Sequence, residues 1–240
     1  TPFNIEGLNF LQKINCPAYK VSSFELTDLN LIKEIAKTKK PMIISTGLAT
    51  LNEIKKTYLT AKKFGCRDIT LLYCVSNYPS NTEDFNLNNI KILKKQFKCK
   101  IGLSDHSIGN NIASLAVLYG AEVFEKHIAL ENQKKGLDLS FSSIGYEFEK
   151  YCKKINNLFN LINNTKLTKS KSEIKNRIFR RSIYAIKNIN KGENLTSENI
   201  QTYRPDIGLS AAKYLKIIGK KSPIKIKKYS PLPKNFISLL

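Results

Sequence analysis

Two stretches, Ile101-Gly-Leu-Ser-Asp-His106 and Glu122-Val-Phe-Glu-Lys-His127, hold both histidines of the chain. Each begins with a short apolar run, which is typical of a buried strand, and ends in a polar cluster that closes on histidine. If the two strands are parallel neighbours, their carboxyl ends meet at one edge of the sheet and both imidazoles emerge there. Two imidazoles at one edge suit a metal ion, so the same residues indicate both a fold and a chemistry.

The composition is that of a globular protein. The chain has 240 residues, of which 42% are hydrophobic and 10% aromatic, so it can bury a core as one large domain, or as one large and one small. No apolar run reaches the roughly 20 residues that span a bilayer, and Thr1-Pro-Phe-Asn-Ile5 lacks the basic-then-apolar order of a signal peptide. We therefore expect a cytoplasmic protein with no membrane partner.

The cysteines are scattered and form no Cys-x-x-Cys pair. This pattern argues against a disulfide framework and against a structural zinc site, and it favours reduced thiols in the cytosol. We interpret them as buried filler of the core. They are Cys16, Cys66, Cys74, Cys99 and Cys152.

The formal net charge of +21 raises nucleic acid or an acidic membrane surface as partners. The lysines are spread over predicted helices and loops, as in residues 33–40, 55–63 and 91–100, and no helix-turn-helix, zinc finger or aromatic RNA-binding motif accompanies them. We therefore expect no nucleic-acid partner. A basic surface would still attract anionic, phosphorylated substrates.

Short strand-like runs alternate with longer amphipathic segments from Pro17 onward, with one strand and one helix roughly every 25 to 30 residues, as in the βα units of a parallel sheet. Thr50 and Glu53 form the pattern of a capping box at a helix start. The predicted strands are residues 18–23, 41–46, 68–75, 100–105 and 122–128. The predicted helices are residues 29–38, 51–64, 87–97, 109–118 and 146–161.

Polar residues follow each predicted strand, and in parallel βα units such residues meet at the carboxyl edge, in an open sheet or in a closed barrel. No Gly-x-Gly-x-x-Gly and no Walker sequence follows any of the strands, which removes the main support for nucleotide binding. A barrel is favoured over an open sheet, although five units are too few to close one. Besides the two histidine stretches, the edge residues are Lys20-Val-Ser-Ser-Phe-Glu25, Ser45-Thr-Gly47 and Cys74-Val-Ser-Asn-Tyr-Pro79.

The last third of the chain has a different pattern. Residues 163–172 are polar and basic, as in an interdomain linker. A strand-like run at 180–186, a turn at Asn190-Lys-Gly192 and a helix cap at Thr196 then predict a small compact module. This module is too small to be the chemical centre by itself.

These edge motifs, taken in order with Gly102-Leu-Ser-Asp-His106, Glu125-Lys-His127 and a later Arg204-Pro, resemble the nonulosonic (sialic) acid synthases over essentially the whole chain. The forms Lys-x-x-Ser-Phe-Glu and Cys-Val-Ser-x-Tyr-Pro-Ser are most similar to the pseudaminic acid synthases within that family. N-acetylneuraminate and legionaminate synthases are the alternatives.

The resemblance implies an α/β fold: the C-terminal portion of a (β/α)8 TIM barrel at 1–162, a linker at 163–178 and an antifreeze-like (SAF) domain at 179–240. It implies condensation of phosphoenolpyruvate with 2,4-diacetamido-2,4,6-trideoxy-altrose, with release of phosphate. It also implies a domain-swapped homodimer in which each SAF domain covers the partner's barrel mouth. The family's barrel begins before the position of Thr1, so we expect this chain to be part of a longer enzyme.

The resemblance, together with the spacing of the two histidines, assigns His106 and His127 to a divalent metal, Mn, Mg or Co, that acts as a Lewis acid on the sugar aldehyde. Asp105 would support a ligand from behind. The phosphoenolpyruvate carboxylate and phosphate would be held by a cation and hydroxyls. These residues are Lys20, Ser23, Ser45 and Ser104.

The sugar contacts are carried over from the resemblance alone. Glu25, Tyr78 and Asp138 match sugar-contacting positions, and Glu25 would help deliver water or a proton. Ser76 stands where neuraminate synthases often have asparagine, and Leu137 replaces the proline that usually precedes the position of Asp138. Arg204 would reach across the dimer to the acetamido group with a planar, multidentate donor.

A hypothesis from another functional class is that the chain is an inactive truncated fragment, whose SAF domain serves only binding or dimerisation. Its motivation is the expected absence of the first barrel strands, which would supply further substrate ligands. Turnover by residues 1–240 alone is incompatible with this reading.

Overall fold

The structure is a computed structural model that describes residues 1–163 and 165–240. The chain divides into two compact units, Thr1–Thr165 and Lys166–Leu240. Asn164, which belongs to the predicted linker, lies outside the described residues. Other parts of that linker carry short helical turns, α7 at Lys171–Lys175 and a 3-10 turn at Asn176–Phe179.

Five strands of the first unit form one parallel sheet in the order β1-β2-β3-β4-β5. Every strand falls within a run predicted as strand, so the parallel βα arrangement is confirmed. Each strand is therefore the neighbour of the next one along the chain, as in a barrel wall. The strands are β1 Tyr19–Val21, β2 Met42–Ser45, β3 Ile69–Cys74, β4 Lys100–Asp105 and β5 Val123–Lys126.

The last predicted strand, residues 122–128, is wrong in one respect, because it is interrupted at His127. The His127 carbonyl accepts a hydrogen bond of 2.8 Å from Ser143 N, so the chain changes its pairing partner at this residue. Ile128–Ala129 (β6) then pairs in parallel with Ser143–Ile144 (β7). His127 thus lies at the junction between two strand pairs.

The predicted helices of the first unit are confirmed to within two residues at either end. The capping box is present as predicted, because Thr50 Oγ1 accepts from Glu53 N at 3.3 Å while Glu53 Oε2 accepts from Thr50 N at 2.7 Å. An additional helix, Ile5–Lys13 (α1), is capped by Asn4 and lies before the predicted alternation begins. The others are α2 Leu29–Lys37, α3 Leu51–Lys63, α4 Asn88–Gln96, α5 Asn111–Leu118 and α6 Gly145–Ile162.

The core of the first unit lies between the sheet and these helices. All residues of β3 are buried, as expected for a strand covered on both sides. Gly102 of β4 permits the close approach of β5, because a Cβ at this position would lie 2.1 Å from the Val123 carbonyl oxygen and 2.6 Å from Leu72 Cδ2. The pairing of the two histidine-bearing strands therefore requires glycine at residue 102.

The second unit has a core of its own, built around Ile183, Ile200 and Phe236. Ser182–Ala185 (β8) pairs antiparallel with Ile200–Tyr203 (β9), and a short helix, α8, spans Tyr214–Ile217. The compact module predicted from the sequence is thus present. In neither unit do the described residues include a helix with the length and apolar character needed to cross a bilayer.

We predict that Gly102→Ala destabilises the first unit by at least about 1–3 kcal/mol, because the new methyl group must displace backbone rather than a flexible side chain. Gly145→Ala is the matched control, since its nearest contact is the flexible Glu131 side chain at 3.4 Å and alanine favours a helix start. Urea unfolding followed by circular dichroism measures both. Equal stability of the two variants would contradict the prediction.

Candidate active site

A cavity of about 760 Å³ opens at the carboxyl ends of the strands in the first unit. It collects side chains that come from several strands and from the 137–141 segment. Most of the residues predicted from the sequence to form a site line this one cavity. They are Lys20, Ser23, Ser45, Tyr78, Ser104, His106, His127 and Asp138.

Lys20 supplies the cation of the cavity. Its side chain is 17% exposed, and Nζ donates to Ser45 Oγ at 2.8 Å and to its neighbour's carbonyl, Val21 O, at 2.9 Å. Burial lowers the pKa of Lys20, while the Glu125 carboxylate, 3.6 Å from Nζ, acts to raise it. The ammonium is therefore held in place by acceptors that an anionic ligand could replace.

Ser23 lies on the turn after β1 and packs against the end of β2. Its Oγ accepts from Gly47 N at 3.0 Å and lies 3.5 Å from Cys74 Sγ. A Cβ on Gly47 would come within 2.8 Å of Ser23 Oγ and 2.1 Å of Ser76 Oγ, so this close packing requires glycine. Burial acts to raise the pKa of Cys74, but contacts with the His106 ring and two serine hydroxyls outweigh it, and the pKa lies below its usual value.

The hydrogen bonds of His106 determine which ring nitrogen can act as a ligand. Nδ1 lies 2.8 Å from the Val75 carbonyl oxygen, which can only accept, so Nδ1 carries the proton and Nε2 keeps a lone pair. Ser104 Oγ is 3.4 Å from Nε2, but its single proton is directed to Glu125 Oε1 at 2.7 Å. Burial acts to lower the pKa of His106, but contacts with Cys74 and the Val75 carbonyl outweigh it and raise this pKa, so the Nε2 lone pair is available in the neutral ring and a metal would compete with a proton for it.

His127 faces His106 across the cavity, with the ring centres 5.3 Å apart. Its Nδ1 lies 3.4 Å from Asp138 Oδ2, so a proton on Nδ1 leaves Nε2 free here as well. Burial lowers the pKa of His127, and the neighbouring His106 lowers it further, which favours the neutral form that binds metals.

Aromatic rings enclose the two imidazoles. The centre of the Tyr78 ring lies 4.3 Å from that of His106, and the centre of the Phe141 ring lies 5.1 Å from that of His127. Tyr78 and Phe141 are themselves 5.5 Å apart. Burial, followed by the negative charges around it, raises the pKa of Tyr78, so its hydroxyl remains a hydrogen-bond donor at neutral pH.

The donor set fits a divalent ion that is completed by substrate and water. Within residues 1–163 and 165–240, no group of three or more histidine, cysteine, aspartate or glutamate side chains is arranged to hold a metal. His106 and His127 would therefore contribute two nitrogen ligands and leave other positions open, as in a catalytic rather than a structural site.

Glu125 is a candidate functional residue that the sequence analysis did not select. It accepts from Ser104 Oγ and forms an ion pair with Lys20, so it joins the hydroxyl and the cation of the cavity. The signal was present in the cluster Glu125-Lys-His127, but strand alternation alone does not reveal which hydroxyl or cation a carboxylate contacts.

Three predicted residues do not line this cavity. Glu25 accepts a hydrogen bond from Ser22, whose side chain does line it. Ser76 lies behind Cys74, with 3.6 Å between Oγ and Sγ, and lines an adjoining cavity. Arg204 belongs to the second unit, where it follows β9, is exposed, and makes no side-chain hydrogen bond or ion pair within the described part of the chain.

Models of two known families match the two parts of the chain. The model of the NeuB family matches residues 1–166, and that of the SAF domain matches residues 180–238. The predicted fold class, part of a TIM-type barrel followed by a SAF domain, is thereby confirmed.

Several proteins that are similar to this chain are named as synthases of nonulosonic acids. The chain is 40% identical to the pseudaminic acid synthase of Helicobacter pylori over 97% of its length and 68% of that protein. It is 38% identical to the N,N'-diacetyllegionaminic acid synthase of Campylobacter jejuni, with coverages of 92% and 67%. A crystal structure of the N-acetylneuraminic acid synthetase of Leptospira borgpetersenii, in complex with citrate, aligns with TM-score 0.67 and 33% identity over 72% of this chain and 61% of that one. The chain thus spans about two thirds of the length of these relatives.

We predict that Glu125→Gln lowers the pH at which the cavity loses affinity for an anion, measured with inorganic phosphate as the probe. Burial already lowers the pKa of Lys20 and Glu125 opposes that effect, so removing the carboxylate charge lowers this pKa further and Nζ loses its proton sooner as pH rises. Calorimetry between about pH 7 and about pH 10 measures the change. Glu122→Gln, which removes only the exposed contact with Lys94, should leave the midpoint unchanged. An unchanged midpoint in Glu125→Gln would refute the assigned role of Glu125.

Proposed function

This chain belongs to the NeuB family, and we propose that it catalyses the condensation of phosphoenolpyruvate with an open-chain acetamido sugar to give a nonulosonic acid. The observation that carries the proposal is the composition of one cavity: a partly buried ammonium and three serine hydroxyls stand beside two imidazoles that can each offer Nε2 to a metal. The ammonium and the hydroxyls suit an anionic substrate, and the two imidazoles, as metal ligands, suit activation of an aldehyde.

The proposed reaction forms one carbon–carbon bond and replaces the C2–O bond to phosphate by a C2–O bond to water. One proton of that water ends on the aldehyde oxygen and the other on the departing phosphate. The C3 carbon of phosphoenolpyruvate attacks the aldehyde carbon, and the aldehyde oxygen takes up a proton. Water adds at C2, and the C2–O bond to phosphate then breaks, so the water oxygen becomes the ketone oxygen of the product. The chain must therefore hold an anion, orient an aldehyde and admit one water molecule.

Lys20 and its surrounding hydroxyls would hold the phosphate and carboxylate groups. Ser45 already accepts from the ammonium, and Ser104 already donates to Glu125, so both hydroxyls are oriented before substrate arrives. Ser23, whose Oγ is bound by Gly47 N, would add a third hydroxyl at the same edge. Ser45 needs little rearrangement to donate to an anion, whereas Ser104 would redirect its single proton from Glu125.

We propose that His106 and His127 hold a divalent metal, Mn, Mg or Co, through their Nε2 atoms. When bound, this ion supplies Lewis-acid polarisation of the aldehyde oxygen. The Val75 carbonyl fixes the tautomer of His106 that this role requires, and Asp138, 3.4 Å from Nδ1 of His127, would favour the same tautomer there. The rings of Tyr78 and Phe141 line the cavity beside the two imidazoles.

The sugar would be contacted at the mouth of the cavity. Tyr78 and the largely exposed Asp138 line this opening, and Glu25 and Ser76 lie immediately behind lining residues. We propose 2,4-diacetamido-2,4,6-trideoxy-altrose as the sugar. The Phe24 that precedes Glu25 and the similarity to pseudaminic acid synthases support this choice over the neuraminate and legionaminate alternatives. We propose the cytoplasm as the compartment, in keeping with the five free thiols.

A binding role without turnover is the second candidate. It is favoured by the order of the sheet, in which β1 forms an edge that pairs with no further strand among the described residues. In that case the cavity would retain anion affinity but would lack a rigid wall on one side. The two functions differ in whether phosphate is released.

We predict that the protein releases phosphate from phosphoenolpyruvate in the presence of Mn²⁺ and 2,4-diacetamido-2,4,6-trideoxy-altrose. Release should stop with a chelator, and it should fall by at least about 100-fold in His106→Ala or His127→Ala. Phosphate release with N-acetylmannosamine, and none with 2,4-diacetamido-2,4,6-trideoxy-altrose, would overturn the sugar assignment. No release with any acetamido sugar would favour the binding role, whereas turnover by residues 1–240 alone would eliminate that role.

We predict that Arg204→Lys raises the KM for the sugar by roughly tenfold or more, because the ammonium keeps the charge but loses the planar set of donors. Mixing inactive Arg204→Ala and His106→Ala proteins tests the proposed domain-swapped dimer. If Arg204 acts across the dimer, each mixed dimer has one complete site, and about a quarter of the activity returns. Absence of recovery, with mixed dimers demonstrated, would assign Arg204 to its own subunit's site or to none.

A further inference from the structure

A buried ion pair lies next to the two histidines in the chain and is not used by the proposed reaction. Asp105 and Lys126 are register partners at the ends of β4 and β5, and each is followed directly by a histidine. Lys126 Nζ lies 3.3 Å from Asp105 Oδ2, and the two side chains are 1% and 0% exposed. Neither charged group is therefore available to a substrate.

Both charges are also bound to the residue that follows His106. Asp105 Oδ1 accepts from Ser107 N at 2.9 Å and from Ser107 Oγ at 2.6 Å. Lys126 Nζ donates to the Ser107 carbonyl oxygen. The backbone on either side of His106 is thus tied to the residue that immediately precedes His127.

Helix α6 covers this cluster. Lys126 Nζ lies 5.9 Å from the centre of the Tyr151 ring, and Tyr151 is 3% exposed. Removing two charges from water costs a free energy that largely cancels their attraction, so a buried pair of this kind is a poor source of stability. Its position beside the two imidazoles indicates a different role.

We infer that Asp105 and Lys126 form a positioning pair that sets the separation and orientation of His106 and His127. The inference rests on the proposed metal-binding role of those histidines. The 5.3 Å separation between the ring centres depends on how the two strand ends are joined, and the ion pair is the side-chain contact that joins the residues directly preceding the two histidines. Loss of the pair should loosen both imidazoles without removing either of them.

The test replaces the pair with apolar residues of similar volume, Asp105→Leu together with Lys126→Met. Such replacements of buried ion pairs often leave stability unchanged or raise it. If this double variant does not fold, Asp105→Asn takes its place, because it keeps the side-chain volume and an acceptor for Ser107 but removes the attraction to Lys126. Lys94→Gln with Glu122→Gln is the matched control, since this exposed pair lies at the opposite end of β5.

Two measurements report on the imidazoles directly. Because the chain has two histidines, their ring signals are readily assigned by NMR, and the nuclear Overhauser effect between the rings reports their separation. Calorimetry with Co²⁺ alone measures metal affinity without substrate or turnover. We expect the variant to lose the inter-ring effect and to bind Co²⁺ at least about 10-fold more weakly, at an unchanged melting temperature. The control should match the parent protein in both.

An unaltered inter-ring effect and unaltered Co²⁺ affinity in the variant would overturn the inference, since a merely structural pair would change only the melting temperature. If the parent protein binds no Co²⁺, the proposed metal site is wrong, and the inter-ring effect still decides whether the pair positions the rings. Lys126→Arg, made in the parent protein, preserves the charge and should therefore retain the nuclear Overhauser effect between the two rings. The two ideas can therefore fail separately.

Discussion

The parallel register of β4 with β5 is the constraint on which the site depends. Ser104 is opposite Glu125 and Asp105 is opposite Lys126. Because side chains alternate across a strand, this register directs one pair into the cavity and buries the next pair away from solvent, and the histidines follow at the strand ends. A slip of β5 by one residue would break both pairs: it would place Asp105 opposite Glu125 or His127 and would turn Glu125 away from the cavity.

Gly102 shows how a backbone requirement supports that register. A side chain at this position would meet the Val123 carbonyl oxygen and would separate the two strands near their start. Two residues later, the same strands present Ser104 and Glu125 in hydrogen-bond contact at 2.7 Å. The precision of the cavity thus depends in part on a residue that has no side chain and does not line it.

The sequence predicted the sheet well because parallel βα units combine a strong apolar period with polar strand ends. It predicted the lining of the cavity through the same rule, as Lys20, Ser45 and His106 illustrate. It did not predict that Lys126 is buried, because lysine is usually exposed and only a partner such as Asp105 makes its burial tolerable. Nor did it predict the break at His127, which arises from a long-range hydrogen bond to Ser143 that no local pattern encodes.

The charges in the cavity form a compensated set before any ligand binds. Glu125 contacts Ser104 at 2.7 Å but lies 3.6 Å from the Lys20 ammonium, so its hold on the hydroxyl is closer than its hold on the cation. An arriving phosphate or carboxylate can therefore replace Glu125 as the partner of Lys20 while Ser104 stays in place. In this partly buried site, Glu125 acts against the lowering of the Lys20 pKa by burial, and the contact between the Lys20 ammonium and Glu125 can be replaced by a contact with an anion. Substrate binding then strengthens contacts that the fold has already arranged, and little of the binding free energy is spent on ordering the cavity.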